Sequence, residues 1–152
     1  MKAITKVVAG LALVAVSSSV LAASASDTIA ARHANFKVMG KAMKATGEEL
    51  RNPTPSVDVI RANAAALATA AAKVKGFFPR GSGPESGAKT EALAAIWQKP
   101  TEFGAAADKL TGAVQAYSRA AASGDIGQIK ASLGAVGGAC KSCHESFREK
   151  DS

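Results

Sequence analysis

The chain has 152 residues, with 19 Lys and Arg against 12 Asp and Glu, a formal charge of +7 and 5% aromatic residues. That length suits one domain. The basic residues are scattered, with no run of five like charges and few aromatics between them, which argues against nucleic-acid binding.

The first 25 residues do not read as part of a fold. Lys2 and Lys6 precede a nearly unbroken apolar run at 7–16, and residues 17–25 then turn small and polar. This is the layout of a secretory signal. Cleavage after Ala22 satisfies the small-x-small rule through Val20, Leu21 and Ala22, and Ala25 is the second choice. The apolar run is short for a bilayer span, so a retained anchor is the weaker reading. Residues 1–22 are therefore assigned as signal peptide and 23–152 as one exported domain, placed in the periplasm, with no membrane segment after cleavage. Losing Lys2 and Lys6 and no acid takes the charge from +7 to +5. A mildly basic surface could steer an acidic protein partner, although a solvated helix face explains it as well.

Breaks at Pro53 and Pro55, at 79–87, at Lys99-Pro100 and at Ser123-Gly124 separate blocks rich in Ala, Leu and Lys, which favour helix. Each block carries an apolar seam stepping by three and four. The first reads Ile29, Arg32, Phe36, Met39, Met43, Thr46, Leu50. In the second, Val57, Ile60, Ala64, Leu67, Ala71, Val74 and Phe78 form one continuous helical series. The third is Phe103, Ala107, Leu110, Val114, Tyr117, Ala121. The fourth is Ile126, Ile129, Leu133, Val136, Cys140, Cys143, Phe147. Four such seams predict an all-α, antiparallel up-down-up-down bundle with helices roughly 30 Å long. Asp125 with Gln128 predicts a capping box, and Pro100 with Thr101 suits a helix start.

Two features break the apolar pattern. Arg32 stands at a core position, where a guanidinium needs an anionic partner. Both cysteines of the chain lie on the last seam, in residues 137–147, GGACKSCHESF, with His144 next to Cys143. Many interior positions nearby are alanine, which leaves room for something large that is not protein.

Three chemistries compete for this motif. A disulfide between i and i+3 closes a tiny loop and stabilises little, and a reactive dithiol belongs at a helix N-terminus rather than deep in the C-terminal half. Zinc needs four ligands, and Cys140, Cys143 and His144 give three, leaving His33 or a carboxylate for the fourth. Covalent haem needs this spacing: two thiols bond the two vinyl groups of a porphyrin and the adjacent histidine ligates the iron. Export, the neighbouring Gly137 and Gly138, the small-residue interior and Arg32, which a haem propionate would neutralise, all share that cause.

On these residues the sequence resembles the cytochrome c′ family, the class II c-type cytochromes, one of the families that define the up-down bundle. The resemblance runs through Arg32 and Met39-Gly40, the loop at 78–84, Thr90, Ala92, Ile96-Trp97, and the motif with Phe147-Arg148 near the C-terminus. It implies one haem c per chain, bound covalently by Cys140 and Cys143, with His144 as axial iron ligand. It implies haem contacts for Arg32, and, with less support from the residues, for His33, Thr90 and Glu91. Arg148, one turn past His144, is placed beside the proximal face, with a solvated helix-end cation as the alternative.

The family divides on the sixth position of the iron. Members of the cytochrome c-556 type carry electrons with a methionine sixth ligand, and cytochromes c′ proper leave the position open behind a bulky apolar residue. Phe36 stands at that position here, and phenylalanine cannot ligate iron. Met39 and Met43 share its seam, where methionine usually packs. The resemblance thus implies a five-coordinate, high-spin haem behind a Phe36 distal cap. It also implies nitric oxide or carbon monoxide binding, electron exchange with a periplasmic redox partner, and a homodimer paired through the first two helices. A six-coordinate, methionine-ligated electron carrier is the alternative. No acid–base constellation argues for an enzyme.

Overall fold

The computed structural model of the protein describes residues 24–150. The signal-peptide assignment and its cut after Ala22 lie outside the described residues. Helix α1 spans Ala25–Glu49, α2 Val57–Ala71, the one-turn α3 Ala95–Gln98, α4 Pro100–Ser123 and α5 Ile126–Phe147. Among the described residues no helix is long and apolar enough to cross a membrane.

Side-chain caps explain three of the starts. Ser24, Ser56 and Asp125 each accept a hydrogen bond from a backbone N–H three residues on. A cut after Ala25 would remove the first of these caps. At Asp125 half of the expected capping box forms: Gln128 N–H donates to Oδ1 at 2.9 Å, but the Gln128 side chain donates to Oδ2 at 3.1 Å. The two carboxylate oxygens take both donors, so the amide does not return to the Asp125 backbone. Pro100 opens α4 at its first position, where a missing N–H costs nothing. Gly124 ends α4 at φ +78°, a conformation that favours glycine, and lets α5 start at once.

The second seam is not one α-helix. α2 stops at Ala71, and Val74–Phe77 is a 3₁₀ turn. Pro79 disfavours helical geometry at the preceding residue, and Phe78 sits at φ −122°, ψ 52°. The tighter turn keeps Val74 and Phe78 facing inward while the chain leaves the bundle axis.

Neighbouring helices run antiparallel. Asn35, early in α1, donates to Ala70 O at the end of α2, and Arg61, early in α2, donates to Ala121 O and Ala122 O at the end of α4. α4 packs on both α2 and α5, and α1 packs on α2, whereas α1 and α5 barely touch. The result is the expected four-helix bundle with one seam left open.

At the closed end the core is dense. Ile60, Leu67, Val114, Tyr117, Ile129 and Val136 are fully buried. A hydrogen-bond chain ties α1 to α4 there: Thr46 Oγ1 donates to Ala42 O at 2.9 Å and so receives the Tyr117 hydroxyl, also at 2.9 Å. Burial pushes the Tyr117 phenol above its ordinary pKa. Tyr117→Phe removes one net hydrogen bond and should cost about 1 kcal/mol, while Thr46→Val strands a buried hydroxyl and should cost about 1–3 kcal/mol. Urea titration of both single variants and the double variant checks this, and the double should cost less than the sum.

Candidate functional site

The open seam is a cavity of about 560 Å³ between α1 and α5. Its volume lies within the usual range for a site that encloses a bound small molecule, roughly 300–1,000 Å³. Every site residue expected from the sequence lines it. Arg32, His33 and Phe36 come from α1, and Cys140, Cys143 and His144 from α5. Thr90, Glu91 and Arg148 close one end. Met39, Met43, Leu67, Phe103 and Leu110 supply much of the apolar wall.

Cys140 and Cys143 are half-buried free thiols, one turn apart on the cavity side of α5. Burial pushes both thiols up, and for Cys143 the proximity of Cys140 adds to the shift. Thiols held in the neutral form are poor nucleophiles at neutral pH, which counts against a reactive dithiol. Among the described residues no three His, Cys, Asp or Glu side chains gather as a metal cluster, so the zinc reading lacks its ligand set.

His144 and Phe36 face each other from α5 and α1. Their ring centroids are 6.4 Å apart with an interplanar angle of 71°. A flat group inserted between two side chains needs about two contact distances, roughly 7 Å. The two rings stand slightly closer than that width. Phe36 also meets Phe78 at 6.3 Å, Phe78 meets Phe103 at 4.8 Å, and Phe103 meets Phe147 at 5.4 Å. This row of rings joins α1, the loop, α4 and α5, and was legible in the sequence only as separate seam positions.

Arg32 is 2% exposed. In the protein alone, neutral oxygens of the loop take its N–H groups. Nε donates to Phe77 O at 3.0 Å, Nη1 to Thr90 Oγ1 at 3.3 Å, and Nη2 to Ser82 O at 2.8 Å and Ser82 Oγ at 2.6 Å. The guanidinium also lies 4.2 Å from the Phe78 ring centroid and 5.8 Å from that of Trp97. Burial lowers its pKa, and Glu85 opposes the shift. Four of five N–H donors are thus engaged by the loop, and one remains for a group in the cavity. Ser82 and Trp97 were missed as partners because a serine in a glycine-rich loop carries no signal of burial.

That loop is fastened on its other side too. Ser82 Oγ donates to Pro79 O at 2.8 Å, and Trp97 Nε1 donates to Phe78 O and Pro79 O. A Cβ on Gly83 would come within 2.7 Å of the Trp97 ring, so the close approach requires glycine.

At the C-terminal end of α5, Ala92 and Arg148 form a short antiparallel bridge, with Leu93 N–H donating to Phe147 O and Glu149 N–H to Glu91 O. Arg148 Nε donates to Glu91 Oε2 at 2.8 Å, which holds the exposed Glu91 carboxyl below its ordinary pKa. Arg148 therefore joins the loop to α5 rather than standing as a solvated helix-end cation. His33 is exposed at the rim.

The residues fit a flat, largely apolar cofactor. Two thiols one turn apart share a wall with an adjacent imidazole. Gly40 and Gly137 line the cavity with open space where a Cβ would stand. Gly138 departs from expectation, since it is exposed and does not line the cavity. One position along a helix turns a residue about 100°, enough to carry it from the wall to the outside.

Known proteins resemble this chain in sequence and in fold. A family model described as cytochrome c′ matches residues 27–148. The cytochrome c′ of Pararhodospirillum photometricum is 39% identical over 114 residues, covering 75% of this chain and 90% of that protein. A solved cytochrome c′ with ligand-controlled dimer dissociation superposes with a TM-score of 0.79 at 27% identity, covering 85% of this chain and 99% of that one. The nitric oxide complex of an Alcaligenes xylosoxidans cytochrome c′ variant gives 0.77 at 25% identity, covering 85% and 98%. With a family match across nearly all of the described chain, and with thiols, imidazole and cavity in one place, this protein belongs to the cytochrome c′ family.

Proposed function

We propose that the protein is a periplasmic carrier of one covalently bound haem c that binds small diatomic gases, nitric oxide or carbon monoxide, and exchanges electrons with a partner. The observation that carries this reading is the pairing of His144 and Phe36 across the cavity. Cys140 and Cys143 would hold the porphyrin through thioethers, and His144 would ligate the iron. When bound, the haem supplies one reversible electron and one open coordination position.

This chain's residues shape what that position admits. Phe36 offers no donor atom, so it excludes water and yields only to a small ligand. The ring row of Phe36, Phe78 and Phe103 keeps the space facing His144 apolar, and Phe36 itself offers no hydrogen bond that would favour dioxygen. Arg32, Thr90 and Glu91 put polar atoms at one end, where a haem propionate would meet the remaining Arg32 donor. Methionine ligation is disfavoured because the α1 ring that faces His144 is Phe36, which carries no donor atom. Ligand binding and electron carriage, without turnover, is the proposed role. The relative with ligand-controlled dimer dissociation supports a homodimer here.

Mass spectrometry of the exported protein should show the mass of one haem added to the processed chain, and a pyridine haemochrome spectrum should show two thioethers. Cys140→Ala/Cys143→Ala should carry no covalent haem, and a wild type of bare polypeptide mass would end this reading.

The reduced wild type should give a high-spin spectrum. Phe36→Met should move it toward low spin by providing a sixth ligand. Phe36→Ala should speed carbon monoxide association by on the order of tenfold, about 1.4 kcal/mol of steric barrier. A low-spin wild type would overturn the Phe36 assignment.

A further inference from the structure

The cavity reaches solvent where its lining residues are exposed. On α1 these are His33 and Gly40, and on α5 His144, with the half-buried Gly137 one turn before Lys141. Residues three and four apart on a helix share a face. Lys37 follows His33 by four and precedes Gly40 by three, so it stands between them on the α1 rim. Lys44 follows Gly40 by four and extends the same row. Lys141 follows Gly137 by four and precedes His144 by three, so it stands between them on the α5 rim. All three lysines are exposed.

Acids do not cancel this frame. Glu48 pairs with Lys44 and Glu145 with Lys141, each at 3.8 Å between exposed groups, where an ion pair holds little energy. Each lies four residues beyond its lysine and farther round the helix from the mouth. Glu91, the acid that lines the cavity, is engaged by Arg148. Lysines thus flank the mouth from two facing helices, while large exposed apolar side chains on the long helices, Val38 and Val59, lie elsewhere on α1 and on α2.

From this juxtaposition we infer that Lys37, Lys44 and Lys141 form a docking rim for an acidic protein surface, set around the cavity mouth. The inference rests on the proposed haem reading for its purpose, since a partner seated there would stand at the opening through which the cofactor is reached. The charges stand on two helix ridges beside a cleft. That form suits a protein knob bearing carboxylates better than a flat lipid surface. Such complementarity acts mainly through encounter rate and orientation, and salt screens it.

The test compares Lys37→Glu/Lys141→Glu with Lys109→Glu/Arg119→Glu, which makes the same net charge change on α4, behind the mouth. Poly-L-glutamate is the binding probe. Hexacyanoferrate(III) is the kinetic probe, taking one electron from the reduced protein to become hexacyanoferrate(II). At low ionic strength the rim variant should lose on the order of tenfold in both readouts relative to the α4 variant, and the gap should close near molar salt. Equal losses in the two variants would show a net-charge effect and overturn the inference. Salt-independent binding would overturn it as well, as would binding to phosphatidylglycerol vesicles without binding to polyglutamate. Polyglutamate binding does not require haem. A protein lacking haem would fail the kinetic arm and the haem reading, while the binding arm would still decide the rim.

Discussion

Arg32 brings a full charge into a place that water barely reaches, and the chain surrounds that charge with oxygen and aromatic rings. Phe77 O, both oxygens of Ser82 and Thr90 Oγ1 take four N–H bonds, and the Phe78 and Trp97 rings flank the guanidinium. A guanidinium without these partners would carry several kcal/mol of desolvation cost, so the loop and the arginine must form together. The loop in turn supplies Phe78 to the ring row and Thr90 and Glu91 to the cavity's polar end. One buried cation therefore connects α1 with every loop element at the functional end of the bundle.

The same economy appears in the helices. A protein interior normally closes to crystal-like density. Here α1 is held by α2 and by the Arg32 loop instead of by α5, and Gly40 and Gly137 leave the space between α1 and α5 unfilled. The closed end is cross-braced by Thr46 and Tyr117, so the opening does not spread through the bundle. A cofactor would supply to α1 and α5 the apolar contacts that side chains do not.

Much of this was legible in the sequence because it depends on local spacing. Alternating steps of three and four gave the helices, and the Cys140–His144 spacing gave the chemistry of the wall. The nine site residues share one cavity: those of α1 and α5 lie on or beside a seam, while Thr90 and Glu91 reach it from the loop, where no periodicity marks them. What spacing did not reveal were contacts between distant segments. Ser82 and Trp97 reach Arg32 from far along the chain, and nothing in their local pattern marks them. The end of α2 at Ala71 was hidden because a 3₁₀ turn through Val74 preserves the inward pattern that a continuing α-helix would show. Gly138 was misassigned through a one-residue error, and on a helix one residue decides between wall and exterior.

Phe36 links the fold to the choice between two kinds of haem chemistry. It has the contacts of a core residue, touching Phe78 and His144, and so its place is fixed by packing whatever else it does. A methionine in that place would keep the apolar contact and add a donor atom within reach of the opposite wall. On the proposed reading, the difference between a carrier with both positions filled and one that admits a gas would reduce to this single side chain. The bundle does not have to be rebuilt to alter the chemistry, because the wall that places His144 and the wall that places Phe36 are separate helices held by separate contacts.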